Sequence, residues 1–148
     1  RKNILINRKT IIFLCCISIL AMNNTFANYA FKKKIKSVCS SYRVSVDASA
    51  MDFGDNLFSL SLESNRNNFE MVMLIGFASA GQAVSHQNSL GLSNAYTPKK
   101  IIVRVHIPAS KGEPMVFEAT CTSDIAIELA AGTLDSSEFM QKIDLVTS

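Results

Sequence analysis

Beyond the first 27 residues, the side chains with most chemical reach are two histidines, His86 and His106, and two cysteines, Cys39 and Cys121. A Cys–His nucleophile pair needs the thiol beside an imidazole base. Cys121 falls in phase with the inward residues of a strand, which sets it in the core and away from both histidines. His86 falls near the end of a helix, where the dipole favours a cation, and His106 falls in the outward phase of its strand. No Cys or His cluster has metal-ligand spacing, so neither metal nor cofactor is expected. Asp52, Asp55 and Asn56 are oxygen ligands around Gly54, but an EF-hand's spacing and closing Glu are missing. They read as a turn. No serine sits in Gly-x-Ser-x-Gly, and Ala78-Ser79-Ala80-Gly81 reads as helix packing. The residues name no reaction, and a non-catalytic protein is expected.

The cysteine pair has a structural use. In an oxidising compartment two cysteines in one small domain read as a disulfide. A Cys39–Cys121 bridge closes a loop of about 80 residues, worth roughly 4–5 kcal/mol in the chain-entropy model. The competing reading is two separate buried thiols. The strand phase strains the bridge, because Cys39 is out of phase with Tyr42 and Val44.

The oxidising compartment is itself a reading of the first 27 residues. Arg1, Lys2, Arg8 and Lys9 make a basic start, Ile11 to Met22 is apolar apart from Ser18, and Thr25-Phe26-Ala27 is a small-residue exit. That is the order of a secretory signal peptide. The apolar run is shorter than the roughly 20 residues of a spanning helix, which favours cleavage. An uncut inner-membrane anchor is the alternative, and Lys32, Lys33, Lys34 and Lys36, just past the cut, argue for it because positive charge stays on the cytoplasmic side. The expected organisation is a signal at residues 1–27, a flexible basic segment at 28–38, and one domain at 39–148. The expected location is periplasmic or secreted.

Removing the signal changes the charge. Four of the 15 basic residues lie in it and no acidic one does, leaving 11 against 12. From Ser37 onward 7 basic residues face 12 acidic ones. An acidic body lacks the basic footprint of a nucleic-acid binder. The four lysines are a candidate contact for anionic lipid headgroups.

The elements follow from periodicity. Tyr42 to Ala48, Phe58 to Leu62, Ile101 to Ile107 and Met115 to Cys121 alternate apolar with polar residues, as half-buried strands do. Pairing Ile107 with Met115 sets Arg104 opposite Glu118. Asn68 to about His86 is apolar on nearly every side, the pattern of a buried helix, with Asn67 and Glu70 as its capping box. Gly76, Ser79, Ala80 and Ala83 would let another backbone approach it closely. Ser123 is a candidate cap for a short helix stopped by Gly132, and Asp135 with Glu138 opens another. The expected class is α+β: a four-stranded antiparallel sheet in ββαββα order, a long buried helix on one face, and two short C-terminal helices.

Two surfaces are candidates for binding. The loop from Asn88 to Pro98 is long for a compact domain and offers Tyr96, followed by Lys99 and Lys100. The outer sheet face offers Ile102, Arg104 and His106, with Val116 and Glu118. Ile102 and Val116 are apolar residues on that face, which suggests a partner or cover by the terminal helices. The expectation is an exported binding or assembly module whose partner is another envelope protein or a second copy. A membrane-tethered subunit and an enzyme with a scattered site are the alternatives.

Overall fold

The computed structural model describes residues 8–109 and 111–148. Arg1 and Lys2 of the expected export signal lie outside the described residues, as does Ser110, between the last two predicted strands. The elements run α1 (Arg8–Ser41), a 3-10 turn (Ala48–Ala50), β1 (Met51–Phe53), β2 (Leu57–Glu63), α2 (Phe69–Leu90), β3 (Lys100–Ile107), β4 (Met115–Thr122), α3 (Ser123–Ala131), α4 (Ser136–Lys142) and β5 (Asp144–Thr147). The strands form one sheet in the order β1-β2-β3-β4-β5.

Alternation builds the core. Phe58, Leu60 and Leu62 of β2, the four residues Ile101, Val103, Val105 and Ile107 of β3, and Ala119 and Cys121 of β4 are buried on one face. The helices cover that face. Gly76 brings α2 onto the sheet, where a Cβ would stand 3.0 Å from both Leu62 Cδ1 and Val103 Cγ1. Gly81 brings α3 onto α2, where a Cβ would stand 2.1 Å from the Ala126 carbonyl oxygen. Phe69 at the start of α2 stacks on Phe117 of β4, with centroids 4.2 Å apart. The small residues of α2 are therefore packing contacts, and the terminal helices join the helical layer instead of covering the outer face.

The sheet is mixed and has five strands, which corrects the four-stranded antiparallel expectation. β2 and β3 are parallel, whereas β1–β2, β3–β4 and β4–β5 are antiparallel. The reason is length. The 22-residue α2 spans about 33 Å, enough to carry the chain back along β2, so β3 starts at the same end and runs the same way. The β3–β4 hairpin keeps the expected register, with Ile107 opposite Met115 and Arg104 opposite Glu118.

A second correction concerns residues 28–48. The segment 28–38 is helical, not a flexible basic stretch, and Tyr42 to Ala48 is not a strand. Ala27, Phe31, Ile35, Val38 and Cys39 are buried, and their spacing is one apolar stripe of a helix. Lys32, Lys33, Lys34 and Lys36 occupy the remaining sides, with Lys32 Nζ 5.8 Å above the Phe53 ring. α1 ends when Arg43 turns left-handed at φ 60°. Val44 N–H then donates to the Cys39 carbonyl at 2.9 Å, and Arg43 N–H to that of Ser40 at 3.0 Å. This is a Schellman cap with arginine where glycine is usual.

The other caps divide. Asp135 and Glu138 form the expected capping box of α4. Thr122, not Ser123, caps α3, because the Ser123 hydroxyl donates to the Pro98 carbonyl. The capping box expected from Asn67 and Glu70 does not form at α2: the cap position is Asn68, whose side chain makes no cap bond, and Asn65 Oδ1 accepts from the N–H groups of Asn67 and Asn68 instead. α2 runs on to Leu90 and ends at left-handed Gly91. Among the described residues no helix is long and apolar enough to cross a membrane.

Candidate functional site

β2 and β3 are parallel, and their pairing ends at Glu63 and His106, which are register partners. A groove of about 690 Å³ opens there, between the segment Arg43–Ala50 and the last residues of β2. Its apolar lining comes from Val44, Val46, Leu62 and Val72, and its polar lining includes Asp47, Glu63 and His106. The volume is within the roughly 300–1,000 Å³ of ligand sites. The carboxyl ends of parallel strands are also where open α/β sheets place ligands. Arg43 lines this groove and, with Lys36 and Ser40, a neighbouring one. Its backbone is in a region that costs a non-glycine residue about 1–3 kcal/mol, so the fold holds a guanidinium at a position where glycine would be easier. Among the described residues no group of three or more His, Cys, Asp and Glu is placed to hold a metal ion.

The candidate residues from the sequence divide between the two ends of β3. Ile102, Arg104 and His106 share the outer face, as their phase requires. Arg104 Nε meets Glu118 Oε2 at 2.5 Å with both side chains partly exposed, and His106 reaches the groove. Lys99 and Lys100 are exposed, and both of their N–H groups donate to the Asn56 carbonyl at 3.0 Å. Lys100 is six residues from His106, about 20 Å along a strand, so the candidates form two surfaces.

Tyr96 is held as a structural pin. Its hydroxyl donates to the Gly54 carbonyl at 2.8 Å, and its ring packs edge-on against Phe31 and Phe53 at 5.0 and 5.4 Å. Burial, with the nearby charges of Asp52 and Asp55, pushes its phenol well above the usual range. A shallow hollow of about 260 Å³ beside it is lined by Asn28, Asp55 and Asn94 among others.

The expected disulfide is absent: Cys39 and Cys121 are free and buried. Each is held by a different pair of elements. Cys39 on α1 shares a hydrogen bond with Ser79 of α2, and burial raises its pKa. Cys121 on β4 has a backbone hydrogen bond with Ala126 of α3, and burial pushes its thiol up to about 12. Both are poor nucleophiles in the folded state, since the thiolate is the reactive form.

Sequence reasoning missed two residues. Arg43 was read as the polar phase of a strand, and its capping role carries no sequence mark because the usual glycine is absent. Gln87 falls between the expected helix and the expected loop, outside both, yet it is 1 % exposed. Its Nε2 donates to the Ala27 carbonyl at 3.2 Å, and its Oε1 accepts from Tyr96 N–H at 3.1 Å. It joins α1, α2 and the loop before β3. Gly91, a glycine at a helix-stop position, was the available sign that α2 continues past Gln87.

No family model matches the chain, no curated protein matches its sequence, and no solved structure matches its fold.

Proposed function

We propose that this protein is an exported, non-catalytic binding module whose ligand sits in the groove at the ends of β2 and β3. The observation that carries the reading is the groove itself: about 690 Å³, lined by both apolar and charged side chains, and walled on one side by a segment outside the sheet. Export is supported by the basic, apolar and small-residue order of residues 1–27. It is also consistent with the buried stripe of α1, whose described members begin at Ala27. The partner is another envelope protein or a second copy, and the acidic body disfavours nucleic acid. The lysines at 32, 33, 34 and 36 supply a weak contact for an anionic membrane surface.

A tethered subunit with an uncut anchor is the second reading, favoured by the continuity of α1 from Arg8 through Ala27 to Ser41. Intact mass of the protein purified from its native envelope separates the two, because cleavage leaves a chain beginning at Asn28. Cross-linking from the same envelope, with wild type and Ser45→Trp as baits, tests the groove. Ser45 is exposed and lines it, so the indole obstructs the groove without touching the core. A partner lost from the Trp bait supports the reading; an identical partner profile from both baits overturns it.

A further inference from the structure

β2 has a partner on one side for only part of its length. Its pairing with β1 stops where Met51 meets Leu60, because the chain before Met51 leaves the sheet in a 3-10 turn. Ser61, Leu62 and Glu63 still pair with Arg104, Val105 and His106 on the other side. Their free edge lies against the groove, which all three residues line. Strand alternation gives the direction of the backbone groups. The Leu57 carbonyl accepts from Gly54 N–H, towards β1, whereas Ser64 N–H donates to the His106 carbonyl, towards β3. Glu63 is in phase with Leu57, so its N–H and C=O point into the groove. No β1 residue and no turn or loop bond among the described residues reaches them.

The facing wall, Val44 to Asp47, has no regular hydrogen-bonded structure. It alternates like a strand: Val44 and Val46 are half-buried against the core, while Ser45 and Asp47 are exposed. A strand edge that is unpaired at Glu63 among the described residues therefore faces a strand-like segment across the groove. Unpaired edges are templates for an added strand.

From this we infer that the groove binds an extended peptide segment of another protein by β-strand addition to Ser61–Glu63, taking apolar side chains at alternate positions and a Lys or Arg beside Glu63. The inference rests on the binding-module reading and specifies its mode. The alternation follows from the groove, which has Leu62 and Val72 on the core side and Glu63 on the outer-face side. The positive charge follows from complementarity: Glu63 and Asp47 form no ion pair within the described chain, and the body from Ser37 onward has 7 basic residues against 12 acidic ones. Three β2 residues present about 10 Å of edge, matching a short linear segment and not a folded surface.

The test uses the full chain and a displayed library of random linear peptides. Enriched peptides alternate apolar with basic residues. A synthetic copy with N-methylated backbone amides, its side chains unchanged, binds at least about tenfold more weakly. The unmethylated peptide slows hydrogen exchange at the Glu63 amide. Glu63→Lys, an exposed change, weakens the basic peptide about tenfold and restores binding to a copy with Glu in place of its Lys. If N-methylation is without effect while Ser45→Trp abolishes binding, strand addition is wrong and the binding-module reading stands. If neither matters, or protection appears on β5 instead of Glu63, the groove is not the site and both readings fall. Enrichment of no peptide also overturns the inference.

Discussion

Gly81 marks a close approach between α2 and α3. A methyl group there would meet the Ala126 carbonyl oxygen at 2.1 Å, which is backbone and cannot rotate away. Gly81→Ala is predicted to destabilise the fold by about 1–3 kcal/mol, the usual range for overpacking, despite alanine's better helix propensity. Gly76→Ala meets only side-chain atoms at 3.0 Å and should cost less; urea unfolding of the two variants measures the difference. The thiols give a pH prediction. The ordinary thiol value is 9.0, and Cys121 is pushed to about 12 by burial, with Cys39 moved the same way. Below pH 9 the thiols are protonated in both states and contribute no pH dependence. Above it the unfolded thiols lose protons that the folded ones keep, so stability falls as pH rises from about 9 towards 12. Cys121→Ala should flatten that fall, as read by urea midpoints at about pH 8 and pH 10. Native protein should react with a thiol reagent far more slowly than unfolded protein. Arg104 and Glu118 were legible as a pair from strand phase alone, since register follows once a hairpin is recognised. The two thiols were not, because a chemical rule about compartments says nothing of which elements lie between two cysteines.

α1 shows how charge can hide an element. Four lysines in five positions read as a solvated tail, although Phe31, Ile35, Val38 and Cys39 keep helical spacing beneath them. Phe31 is fully buried and packs edge-on against Phe53, Phe58 and Tyr96. Phe31→Ala is predicted to cost about 3–5 kcal/mol, seen as a lower thermal midpoint; a flexible tail would give no change. The two halves of the fold differed in legibility for a physical reason. β3, β4 and the buried α2 follow from local periodicity, and Gly76 could be assigned to close packing because a small residue in a buried helix has few other uses. Strand direction depends on how far α2 carries the chain, and β1 and β5 are too short for their periodicity to count. Asp144–Thr147 is exposed throughout, so it lacks the alternation that betrays a strand. The groove was harder still. His106 was visible as an outward residue, but Glu63 and Arg43 become its neighbours only through the parallel pairing and the left-handed cap.

At the scale of the molecule, the question is whether residues 1–27 belong to the fold. Among the described side chains the buried ones of α1 begin at Ala27, and the apolar ones before it, Ile12 and Phe26, are 62 % and 65 % exposed. A chain starting at Asn28 keeps Phe31, Ile35, Val38 and Cys39 and every strand. It loses the Ala27 carbonyl, which accepts from buried Gln87 Nε2, and it gains a positive amino group at a helix N-terminus, which the dipole disfavours. Loss of one hydrogen bond costs about 0.5–1.5 kcal/mol. For a domain of this size that lowers the thermal midpoint by about 2–8 °C. The shortened chain should therefore fold cooperatively with a slightly reduced midpoint, and Gln87→Leu should lower the full chain by a similar or larger amount, because it also strands Tyr96 N–H. Circular dichroism melts of the three proteins decide the matter. A shortened chain that fails to fold would make residues 1–27 a permanent part of the molecule and favour the tethered subunit; one that folds leaves a domain ready to be released by a cut after Ala27, its groove and outer sheet face intact.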